Sequence, residues 1–110
     1  MKHPAERYGK LLSQLHAHLA RYGEHHWTPK LEKWIAELKQ MASVHTPIAG
    51  YSAHVSRTRQ SFGGMGSLND ISITPQAGYK ISTWKVGSVN ARLQTLRTSL
   101  FNEIERLSRF

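Results

Sequence analysis

The chain has 110 residues, 15 Lys and Arg against seven Asp and Glu, a formal net charge of +8 and no cysteine. This length lets a single core bury roughly two thirds of the unfolded surface, and the missing cysteines exclude disulfides, thiolate zinc sites and a thiol nucleophile. No stretch approaches the roughly 18 apolar residues of a membrane span and the first turns lack a signal-type apolar core, so one cytoplasmic domain over residues 1–110 is expected.

From Pro4 to Tyr22, residues Tyr8, Leu11, Leu12, Leu15, Leu19 and Tyr22 recur at intervals of three and four, a single apolar stripe on a helix that Gly23 stops. A second helix is expected from Thr28 as N-cap with Pro29 at the first helical position, burying Leu31, Trp34, Ile35, Leu38 and Ala42. Thr46-Pro47 repeats that start signal, and Ile48, Tyr51, Val55 and Phe62 give a third helix ending at Gly63. The period then changes to two. Ile71 and Ile73, a turn over Pro75–Gly78, then Tyr79, Ile81 and Thr83 predict a short β-hairpin. Ser88 is expected to cap a last helix whose stripe is Val89, Leu93, Leu96, Leu100, Ile104 and Leu107. The expected fold is therefore mainly α: about four helices packed with one short β-hairpin, an α+β arrangement whose hairpin must lie against the helices to persist.

The glycines Gly63, Gly64 and Gly66 permit positive φ, so the run from Phe62 to Ser67 reads as a place where a helix ends and the chain reverses into a strand. Met65 and Leu68 would anchor this loop, while Asn69 and Asp70 would accept hydrogen bonds from its amides. A phosphate loop runs from strand into helix and carries a following Lys; this run goes from helix into strand and has none. Phe62-Gly63-Gly64-Met65-Gly66-Ser67, followed by Asn69-Asp70 and Ile71, resembles the signature of an uncharacterised family of small bacterial proteins. The resemblance implies a stand-alone bacterial domain without an assigned reaction, and by analogy an immunity protein neutralising a cognate toxin.

Charge leans toward the second half. Six basic residues lie between Arg57 and Arg97, opposed only by Asp70, which marks either a binding surface or a solvated face. Arg59 falls near the apolar stripe of the third helix, where it either meets Asp70 across the reversing loop or extends its head into water. Strand alternation that turns Tyr79 and Ile81 inward turns Lys80, Ser82 and Trp84 outward. Lys80 and Trp84, with Arg57 and Arg92, are the candidate partner-binding residues, the alternative being that Trp84 folds into the core.

A basic chain of this kind is expected to bind another protein, of acidic character, as a monomer or homodimer. Single-stranded nucleic acid is the second expectation, through the same charged and aromatic residues. The last helix is a poor duplex reader, because Arg92 and Arg97 straddle its apolar stripe. No metal, cofactor or membrane partner is expected: His16 and His18 point to nearly opposite sides of the first helix, and His25 and His26 lie in a loop without further ligands. No serine–histidine–acid or paired-carboxylate arrangement stands at usable spacing, so no catalytic residue is named and no enzyme is expected.

Overall fold

The computed structural model describes residues 5–63 and 67–109. Within them lie four α-helices, α1 (Glu6–Arg21), α2 (Thr28–Ser43), α3 (Ser52–Gln60) and α4 (Val86–Leu107), joined through three short 3-10 turns at Ile48–Tyr51, Leu68–Asp70 and Thr83–Lys85. The expected beginning of the first helix at Pro4 lies outside the described residues.

Helix α1 runs antiparallel to both α2 and α4. His16 faces Glu32 at 3.0 Å while Gly9 faces Leu38, and the His18 Nε2–H donates to the Val89 carbonyl at 3.0 Å while Arg7 reaches Glu103 at 3.8 Å. The apolar stripes drive this packing, since all six stripe residues of the first helix and all six of the last are buried. Helix α3 then crosses the second half of α4, with the Phe62 and Phe101 rings 5.5 Å apart in an edge arrangement. The result is elongated, 44 × 24 × 24 Å.

Helix ends follow two different rules. Gly23, at φ 83°, terminates α1 as the spacing predicts: its N–H donates to the Ala20 carbonyl and that of Glu24 to the Leu19 carbonyl. The start of α2 is a correction. Thr28 is not the cap; the buried Glu24 carboxylate is, with Oε1 accepting from the N–H groups of His26 and Trp27, both at 2.7 Å, and Oε2 from that of Thr28 at 2.9 Å. The two oxygens of this carboxylate, in the preceding loop, take three successive backbone donors that lead into the helix, more than one hydroxyl oxygen can. Nor does Thr46 cap the third helix, which opens as a 3-10 turn after Pro47, or Ser88 the last, which starts earlier, at Val86. The Ser88 hydroxyl donates to the Lys85 carbonyl instead.

The β-hairpin is absent: no strand occurs among the described residues. The chain from Ile71 to Ser82 is non-helical with a turn at Pro75–Gly78, but it is held by side chains of α4 rather than by a partner strand. Asn90 Oδ1 accepts from the Ile73 N–H at 2.7 Å, and its Nδ2 donates to the Ile73 carbonyl at 2.8 Å, so one carboxamide makes both bonds that a neighbouring strand residue would make. Arg97 Nη1 donates to the carbonyls of Leu68 at 2.8 Å and Ile71 at 2.9 Å. Lys80 N–H is taken by the Tyr22 carbonyl at 3.0 Å, which ties the segment to the end of α1. Across the turn the two halves share the bond from the Tyr79 N–H to the Thr74 carbonyl at 3.2 Å, but no ladder continues from it, because the groups beyond are satisfied elsewhere.

Candidate partner-binding surface

The end of α1, the segment around Lys80 and the beginning of α4 meet at one tip of the molecule. The Lys80 stem packs over Gly23, where a Cβ would meet Lys80 Cγ at 3.6 Å, an ordinary contact; it is the positive φ of 83° that favours glycine at this position. The stem is thus fixed while the residue as a whole stays exposed. Tyr79, the next residue back, is half-buried, and burial together with the nearby Glu24 carboxylate raises its phenol pKa. Inside and outside therefore alternate as the sequence requires, Tyr79 and Ile81 partly buried and Lys80 and Ser82 exposed, without any sheet.

Trp84 sits in the 3-10 turn Thr83–Lys85, which the Lys85 N–H closes on the Ser82 carbonyl at 2.9 Å. It is 80% exposed, whereas Trp27 is buried and Trp34 half-buried. Lys85 Nζ lies 5.1 Å from the Trp84 ring centroid, so one face of the indole carries a cation and the rest is open. Arg92 follows on the exposed side of α4. The charged heads of Lys80 and Arg92 make no hydrogen bond or ion pair within the described residues. The one nearby buried acid, Glu24, is spent on backbone donors. The start of α4 adds the positive end of its dipole to this tip.

Arg57 is elsewhere. It lies on α3 and pairs with Glu37 of α2 at 3.1 Å, two residues from Arg59, which meets Glu105 of α4 at 3.0 Å. Glu105 is near the far end of α4, roughly 30 Å from its start at 1.5 Å per residue. The structure thus groups Lys80, Trp84 and Arg92 and separates Arg57 from them. Arg59 is exposed, and its acid is Glu105 and not Asp70, which is itself exposed in the 3-10 turn Leu68–Asp70. The reversal that was to deliver Asp70 instead returns the chain one step further along: the Leu68 N–H donates to the Ser61 carbonyl at 2.8 Å, and Asn69 Nδ2 donates to that of Phe62 at 2.9 Å. Asn69 serves the loop as a donor, where an acceptor was expected. Gly63 is exposed and lacks a positive φ, and Gly64, Met65 and Gly66 lie outside the described residues.

Two buried polar constellations escaped the sequence reading. Arg97, expected on the flank of the apolar stripe, is only 7% exposed and meets carbonyls and the Gln94 side chain but no carboxylate; burial lowers its pKa. Its neighbour in sequence, Leu96, and the spacing from Leu93 and Leu100 place it at the edge of the stripe, which was the available signal. The second joins Tyr8, His54 and Thr58, all sealed in the core. His54 Nε2 faces the Trp34 carbonyl at 3.0 Å and must donate, which fixes the tautomer. Burial lowers the His54 pKa and keeps it neutral, so Nδ1 accepts the Tyr8 hydroxyl proton at 2.7 Å. The Tyr8 oxygen in turn accepts from Thr58 Oγ1 at 2.6 Å. His54 and Thr58 fall three and seven residues after Tyr51, the helical spacing of a core face, and that pattern was the missed clue.

Among the described residues no group of three or more His, Asp or Glu could hold a metal ion, and no helix is long and apolar enough to cross a membrane. A family model described as a domain of unknown function, DUF6966, matches residues 20–82. The match takes in α2, α3, the glycine run and Lys80, and stops just short of Trp84. No curated protein and no solved structure matches the chain.

Proposed function

The chain belongs to the DUF6966 family, whose description assigns no activity, and from its surface chemistry we propose that it is a protein-binding domain using the tip formed by Lys80, Trp84 and Arg92 to hold an acidic partner. The observation that carries this reading is the 80% exposure of Trp84 on a turn fixed by the start of α4. A large ring with only two side-chain torsions, carried on a hydrogen-bonded turn, loses little entropy when a partner covers it, which is why tryptophan recurs among the residues that dominate interfaces. Cations around it that lack an acid partner select for negative charge. Arg57, occupied by Glu37 at the other end, is not part of this proposed surface. The more specific role, neutralising a toxin as an immunity protein, rests on the resemblance of the glycine run to small bacterial proteins.

Single-stranded nucleic acid is the second reading, favoured by the same lysine and indole. The first is preferred because the tip offers one exposed ring, already covered on one face by Lys85, whereas strand binding is built from successive stacking platforms. Affinity capture from a lysate, with and without nuclease, separates the two. A stoichiometric acidic protein that survives nuclease and is lost with K80A/W84A supports the protein reading. Capture of nucleic acid alone supports the second, and a partner retained unchanged by K80A/W84A removes the tip from both.

A further inference from the structure

Away from that tip, a cleft of about 770 Å³ opens between α1 and the second half of α2, within the size range of small-molecule sites. Its origin is local. Ala5, Gly9 and Ser13 follow one another at intervals of four along α1, so the row facing α2 carries almost no side-chain bulk. The α2 residues opposite, Ile35, Leu38 and Ala42, are apolar, and Ala42 and Ile35 are left partly or wholly uncovered although they continue the stripe that buries Leu31.

The linker after α2 bounds the cleft. His45 takes a positive φ of 55° and turns the chain so that Pro47 and the buried Tyr51 join the lining. Gly50 lets this linker close up, because a Cβ there would stand 2.6 Å from Thr46 Cγ2. Two lysines, Lys10 on α1 and Lys39 on α2, line opposite walls, and neither makes a hydrogen bond or ion pair within the described residues. Glu6 and His45 complete the polar margin. Arg57, Arg59 and Arg106 at this end of the molecule are paired with carboxylates, whereas the two lysines face the cleft unclaimed.

We propose that this cleft binds a fatty carboxylate, the alkyl chain lying on Ile35, Leu38 and Ala42 and the carboxylate held between Lys10 and Lys39. Apolar floor and cationic margin together select an amphipathic anion: a neutral chain gains only the floor, and a small anion only the margin. The site is independent of the Lys80–Trp84 tip.

Titration of the whole protein with decanoate below its micelle concentration, followed by calorimetry, tests this, with decyltrimethylammonium as the chain of opposite charge. The expected result is saturable binding of one decanoate, with the ammonium chain weaker by on the order of tenfold or more. K10E/K39E, at two exposed positions, reverses that preference; A42W, also at an exposed position, fills the cleft and removes binding of both chains. K80A/W84A leaves all of these affinities unchanged. The proposal is overturned by absence of saturable decanoate binding, by equal affinity for the two head groups, or by K10E/K39E that binds decanoate as the unmodified protein does. Should A42W fail to fold, the head-group comparison and K10E/K39E decide.

Discussion

The two ends of this molecule treat their arginines in opposite ways. Around α3 each arginine meets a carboxylate: Arg57 with Glu37 at 3.1 Å, Arg59 with Glu105 at 3.0 Å, and Arg106 with both oxygens of Glu103 at 2.8 and 2.9 Å. At the opposite tip, Lys80 and Arg92 have no such partner, Lys85 lies over an exposed indole, and the nearest buried acid is consumed by the start of α2. A formal charge of +8 is therefore not spread over the surface as the sequence lists it. Antiparallel packing sets Glu37, Glu103 and Glu105 beside the arginines at the α3 end, whereas toward the other end Glu24 is held by backbone donors and Glu32 meets His16, and this difference supports the proposal that an acidic partner binds there.

The tip depends on the segment that leads to it, and the largest expected effects test that support. Arg97→Met removes the guanidinium that serves the carbonyls of Leu68 and Ile71 and should cost about 2–4 kcal/mol in urea unfolding. It should also speed amide exchange over residues 68–82 while leaving α1 protected. An equal loss of protection in α1 and in that segment would mean that Arg97 supports the whole core and not the tip in particular. Tyr8→Phe strips His54 Nδ1 and Thr58 of their shared partner at the other end, with an expected cost of about 1–3 kcal/mol and no effect on partner capture. Glu24→Ala frees the donors at the start of α2 beneath the tip, for about 1–2 kcal/mol. Arg57→Gln, at an exposed pair, should change stability by less than about 1 kcal/mol.

The same buried chain of Tyr8, His54 and Thr58 sets a pH dependence with a definite sign. The His54 pKa is lowered chiefly by burial, so between its folded value and the ordinary value near 6.5 the unfolded chain binds the extra proton. Stability is complete above that ordinary value and falls as pH drops below it. Tyr8 acts at the other limit: burial raises its phenol pKa, so stability declines as pH rises past the ordinary value near 10. Urea midpoints measured at pH 7.5 and pH 5 should differ in the unmodified protein and differ less in His54→Gln; equal pH sensitivity in both would assign the acid effect to other groups.

What the sequence made legible follows from what each pattern records. A stripe at intervals of three and four specifies both a helix and its buried side, and the twelve stripe residues of α1 with Tyr22 and of α4 are all in the core. Alternation records only which side faces inward. It correctly turned Tyr79 and Ile81 in and Lys80 out, but it is silent on what satisfies the backbone, and here Asn90 and Arg97 of α4 do so in place of a strand. Caps misled for a related reason: Thr28 has the right chemistry at the right place, yet the helix begins one residue earlier, with the Leu31 N–H taken by the Trp27 carbonyl, and Glu24 takes the N–H groups of His26, Trp27 and Thr28. Arg59 illustrates the remaining limit, because its acid, Glu105, is distant in the chain and only tertiary packing selects it over the sequence-near Asp70.

The central claim, that the uncompensated tip is where negative charge is received, is tested most directly by NMR titration of the labelled protein with a short oligoglutamate peptide at low salt. The Trp84 indole and the amides around Lys80 and Arg92 should shift first and most, added salt should reverse the shifts, and Arg57 and Arg59 should stay nearly still. A silent Trp84 indole, or shifts that are larger on α3 than at the tip, would contradict it.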